Sequence, residues 1–98
     1  MPYNYTIDQK AVWEIESFYI NVAAKYRHTY SIEDLERNVK DAYYAAFLIE
    51  VSLLRRKPTL KRWQKYYMAH SGHWYYAYTI NGDTITIVDA CHEQNMHE

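Results

Sequence analysis

Residues 73–88 constrain the fold of this chain more than any other stretch. His73 to Ile80 is rich in Trp, Tyr and Thr, residue types that fit a pleated, half-buried surface. Thr84-Ile85-Thr86-Ile87-Val88 alternates branched apolar residues with Thr and reads as a returning strand. Asn81-Gly82 stands between them, and both residues tolerate the positive φ of a type I′ turn. A β-hairpin is therefore expected here. Two strands alone are marginally stable in water, so the rest of the chain has to cover the hairpin's apolar face.

The first half offers that cover. Tyr3-Asn4-Tyr5-Thr6-Ile7 reads as a short strand, and Asp8 as the N-cap of a helix. Val12, Ile15, Tyr19, Val22 and Tyr26 then recur at spacings of three and four, one stripe of a helix. Arg27-His28-Thr29-Tyr30 breaks the pattern. Ser31 with Asp34 makes a capping-box-like start, and Glu33, Asp34 and Glu36 suit the positive end of a helix dipole. Leu35, Val39, Ala42, Ala46, Ile49 and Leu53 continue as a stripe to Arg55, Arg56 and Lys57, with Pro58 as the stop. The two helices should form an antiparallel hairpin. Trp63 to Met68 is expected as a further strand and Ser71-Gly72 as a turn. The order is strand, helix, helix, strand, strand, strand: an α+β fold with a helical hairpin packed on a small antiparallel sheet.

Composition narrows the class. A chain of 98 residues supports one core, so residues 1–98 are read as a single domain. Two glycines and two prolines imply short connections. Twelve tyrosines should lie half-buried on sheets or at a contact surface. The lone Cys91 excludes an internal disulfide and fits a reducing cytosol. No signal peptide is recognisable, and no apolar stretch approaches the ~20 residues of a membrane span. The formal net charge of −1 argues against a strongly basic nucleic-acid binder. Yet Arg55, Arg56, Lys57, Lys61, Arg62 and Lys65 form a run without an intervening acid.

The element order, together with the tail from Trp74-Tyr75-Tyr76-Ala77-Tyr78 through Asn81-Gly82 to Asp89-Ala90-Cys91-His92, resembles the RelE/ParE toxin superfamily. That family's tail runs aromatic–Arg–apolar–x–Tyr, a short turn, then an apolar strand ending near His, Arg or Tyr. Tyr78 stands where the family has its tyrosine, and His92 where it often has histidine. The order spans nearly the whole chain, and the residue pattern its last quarter. One departure matters: Tyr75 occupies the position where RNA-cleaving members carry an arginine facing the scissile phosphate, and tyrosine brings no positive charge. Arg62 or Lys65 could replace a second family arginine on the preceding strand.

The resemblance implies the toxin half of a type II toxin–antitoxin pair, cytoplasmic and without a cofactor, with a cognate antitoxin as partner. Three function classes stay open. A ribosome-dependent messenger-RNA endoribonuclease would use His92 for proton transfer, with His97 a weaker candidate. Arg62 and Lys65 would stand beside the phosphate, and Lys61, Arg55, Arg56, Trp63 and Tyr75 would bind substrate. A ParE-like DNA gyrase inhibitor would need no catalytic residue, which the absence of arginine at Tyr75 favours. The third class is a non-catalytic binding module of the same fold, or an unrelated α+β adaptor. Each residue also has a plainer role. His92 reads equally as a packed strand end, Arg55 to Lys57 as a solvated helix terminus, and Cys91 as a small buried residue. Cys91, His92, His70, His73 and His97 match no zinc-site spacing.

Overall fold

In the computed structural model, which describes residues 3–49 and 58–96, two helices pack on a four-stranded mixed sheet. The elements are β1 (Asn4–Ile7), α1 (Gln9–Lys25), α2 (Ile32–Ala46), β2 (Tyr67–Ser71), β3 (Trp74–Asn81) and β4 (Thr84–His92). The sheet order is β1-β4-β3-β2. The three C-terminal strands are antiparallel as expected, whereas β1 runs parallel to β4, so the sheet is mixed. Parallel pairing is what the helical crossover between β1 and the later strands permits.

Local chemistry sets most element ends. Ser31 caps α2: its side chain accepts from the Asp34 N–H while Asp34 accepts from the Ser31 N–H, and both donors would otherwise be orphans. Asp8 precedes α1 but makes no side-chain cap. Its backbone N–H goes to the Ile87 carbonyl and extends the β1–β4 ladder instead. The second helix ends at Ala46, well short of Pro58, because the chain turns at Phe47 and Leu48. Leu53, Arg55, Arg56, Lys57 and His97 lie outside the described residues. Trp63–Met68 is not one strand: Lys61–Trp63 is a 3-10 turn and β2 starts only at Tyr67.

Both hairpin loops shift by one residue from the sequence expectation. They consist of Gly72-His73 and Gly82-Asp83, with each glycine at φ 63°. Asn81 pairs with Thr84 inside the ladder and has no positive φ, so glycine alone takes the left-handed position.

The core lies on both faces of the sheet. Towards the helices, Trp74, Tyr76, Tyr78, Ala69, Ile85 and Ile87 meet Ala11, Ile15, Ala42, Ala46 and Ile49. The buried aromatics keep their polar ends bonded, with Tyr76 Oη donating to the Ala42 carbonyl at 2.6 Å and Trp74 Nε1 to Tyr19 Oη at 3.0 Å. The opposite face is closed by Leu60 and Trp63, which pack on Met68, Ala77 and Cys91 with Tyr66, Tyr75 and Met96 alongside.

A β-bulge decides the chemistry of β4. Ala77 pairs with Asp89 but Tyr78 pairs with Ile87, so Val88 is the extra residue. The side-chain phase therefore flips along the strand. Ile85 and Ile87 face the helices before the bulge, and Ala90 faces them after it, with Cys91 turned to the other side. His92 consequently joins the helix side.

Candidate functional site

Because β1 pairs only with residues 84–87 of β4, no strand among the described residues lies on the outer side of β4 beyond Val88. Across that open edge α1 approaches from one face and the segment bearing Arg62 and Trp63 from the other. A cavity of about 340 Å³ opens there, lined by Trp13, Glu14, Ser17, Phe18 and Asn21 of α1, Trp74, Cys91 and His92 of the sheet, and Arg62 and Asn95. A neighbouring one of about 280 Å³ is lined by Lys10, Arg62, Lys65, Tyr66, Val88 and Asp89. Arg62 borders both.

His92 forms the floor. It is 9% exposed and its ring stacks on Phe18, with centroids 4.1 Å apart and planes 10° from parallel. Trp74 meets it edge-on at 5.3 Å. Nδ1 accepts the backbone N–H of Gln94 at 3.2 Å, so in the neutral ring the proton sits on Nε2. Burial holds the pKa of His92 below its ordinary value, with the Glu93 carboxylate opposing this and His73 adding slightly to it. The result is a neutral imidazole presenting an Nε2–H donor rather than a proton shuttle with both nitrogens free. Glu14, which the sequence pattern did not single out, supplies a carboxylate in the same cavity, 3.8 Å from Lys10 Nζ.

The remaining expected residues divide. Arg62 joins His92, and Lys65 stands one cavity away. Lys61 opens the 3-10 turn with its side chain exposed. Trp63 does not offer a base-stacking face: it is 1% exposed and its Nε1–H donates to Asp89 Oδ2 at 2.8 Å. Tyr75 stacks on His70 at 4.3 Å on the other side of the sheet, away from His92. Arg55 and Arg56 fall outside the described residues.

Cys91 is buried, and burial raises its thiol pKa, with Arg62 pulling the other way. Its Sγ donates to the Asn95 carbonyl at 3.3 Å, which suits a packing role. His70 and His73 share Glu93, at 3.7 and 2.9 Å. Among the described residues, no three His, Cys, Asp or Glu side chains converge to hold a metal ion. None of the described helices is long and apolar enough to cross a membrane.

Asp89 was also missed by sequence reasoning. It is buried, accepts from both Trp63 and Lys10, and sits where the bulge turns it towards the open edge. A single acid inside an apolar strand was the available signal. Neither a protein-family model nor a curated protein sequence matches the chain.

Proposed function

We propose that this chain is a RelE/ParE-type toxin that cleaves messenger RNA on the ribosome, acting in the cytoplasm and held inactive by a cognate antitoxin. The observation that carries the reading is the meeting of His92 and Arg62 in one cavity, with Glu14 beside them. Cleavage by the neighbouring 2′-hydroxyl needs an acceptor for its proton, a proton for the departing 5′-oxygen, and a hydrogen bond and a cation for the phosphate. Glu14 is the acceptor, water in the open cavity protonates the departing 5′-oxygen, His92 Nε2–H hydrogen-bonds the phosphate, and Arg62 is the cation that the tyrosine at position 75 cannot supply. Lys65 in the adjoining cavity, where Lys10 is paired with Asp89, adds a second cation for the RNA backbone.

One observation favours the gyrase-inhibitor reading instead. A groove of about 500 Å³ runs between α1 and α2, lined by Ile20, Leu35, Val39 and Tyr43 together with Glu16, Glu36 and Lys40. A surface of that kind suits a protein partner.

Inducible expression in a bacterial host separates the two. Growth arrest with new cuts inside translated messages, lost in His92→Ala and Arg62→Ala, is the expected result. Arrest without cuts, indifferent to both substitutions, would replace the ribonuclease reading with gyrase inhibition.

A further inference from the structure

Trp13 is 61% exposed at the lip of the cavity that holds His92 and Arg62. The other two tryptophans, Trp63 and Trp74, are 1% and 2% exposed. Trp13, Ser17 and Asn21 follow at intervals of four along α1, so they stack on one stripe, one turn above another. All three line the cavity, and Asn95 faces them from the turn after β4. The cavity thus brings together an exposed indole, a hydroxyl and two amides, with the Glu14 carboxylate and the Arg62 guanidinium in the same lining.

Those groups match one chemical class. An indole offers a face to any nucleobase, amides pair with base edges, and an arginine meets a phosphate. The α1–α2 groove makes the contrast: Ile20, Leu35, Val39 and Tyr43 line it together with Glu16, Glu36 and Lys40, and none of these is an indole or an amide. We infer that the α1 wall of the His92 cavity is a nucleobase subsite for single-stranded RNA. Trp13 is its stacking platform, Ser17, Asn21 and Asn95 read the base edge, and Arg62 holds the attached phosphate. The inference deepens the ribonuclease reading and rests on it for the nature of the polymer.

The test is a titration of the ¹⁵N-labelled protein with each of the four ribonucleoside 5′-monophosphates, with inorganic phosphate as the control. The nucleotides should move the Trp13 indole N–H signal upfield, while inorganic phosphate should leave it in place. Trp13→Ala should weaken nucleotide binding by about ten-fold or more, the loss of one stacked base. Because the ring is largely exposed, this variant should keep the wild-type fold, which the dispersion of the remaining signals checks. Asn21→Ala should change the order of preference among the four nucleotides.

Nucleotide shifts confined to other residues, or wild-type affinity in Trp13→Ala, would overturn the subsite. So would displacement of Trp13 only by an apolar peptide. The readout is binding, not cleavage, so the two proposals fail separately. Nucleotides seated on Trp13 without cuts in cells would support the subsite and end the ribonuclease reading. Cuts that persist unchanged in a Trp13→Ala protein with unaltered nucleotide affinity would do the reverse.

Discussion

The indole of Trp63 and the carboxylate of Asp89 are joined by a 2.8 Å hydrogen bond that ties the segment before β2 to the open edge of β4. Lys10 Nζ reaches the same oxygen at 2.8 Å, and the other oxygen accepts the Ala90 N–H. Asp89 is 5% exposed. Because Arg62 is the next residue before Trp63, this bond also fixes where the cation of the candidate site stands.

Asp89→Ala should therefore leave a buried indole N–H without an acceptor, at a cost of about 1–3 kcal/mol. Asp89→Asn keeps an acceptor for Trp63 and should cost less. Urea denaturation of the two variants compares them. Equal losses would place the energy in the Lys10 charge pair, which is unexpected for an ammonium as exposed as that of Lys10.

Stability should fall as pH drops below the ordinary histidine value of 6.5. Below that value the unfolded chain takes up a proton at His92 that the folded chain resists, because burial lowers the folded pKa. With more protons bound in the unfolded state, unfolding free energy decreases with acidification. Glu93, whose pKa is lowered chiefly by its hydrogen bond with His73, adds a loss in the same direction at lower pH, below 4.5. Denaturation between about pH 8 and about pH 5 should thus show a decline in wild type that is flatter in His92→Gln. Parallel profiles would mean that the packing of His92 does not resist protonation.

The Gly82 turn gives a backbone prediction. Its φ of 63° strains any L residue, although a Cβ there would meet nothing within 4 Å. Gly82→Ala should cost about 1–2 kcal/mol, and Gly82→Asn less. Asn81→Thr, inside the ladder, should stay within about 0.5 kcal/mol of wild type. A larger loss at Asn81 than at Gly82 would contradict the loop position described above.

If Arg62 and Lys65 face an RNA strand, affinity for single-stranded RNA should fall with salt. Each of Arg62→Ala and Lys65→Ala should reduce the log–log slope by about 0.7. Trp13→Ala should lower affinity without changing that slope. A slope untouched by both cation substitutions would remove them from the interface.

Much of the fold was legible. The capping pair Ser31 and Asp34, the stripe from Leu35 as far as Ala46, and the β-rich run after Gly72 each reflect local chemistry, and each forms the expected element. The end of α2 and the start of β2 were not legible, because apolar residues at helical spacing continue past Phe47 while the chain turns. Trp63 looked like an accessible ring among cations because sequence gives proximity along the chain. It cannot show that Leu60 and Trp63 fold back onto the far face of the sheet.

The sequence by itself determined the α+β class, the element order and glycine at each tight turn, since periodicity, capping and turn chemistry act over a few residues. Tertiary structure alone decided the parallel placement of β1, which leaves the end of β4 open. It also decided the bulge at Val88, which reverses the side-chain phase and turns His92 towards Phe18 and Asp89 towards Trp63. A single extra residue in a strand carries no local signature of its own. Its position is set by how the whole sheet must pair, and with it the face on which the chemistry lies.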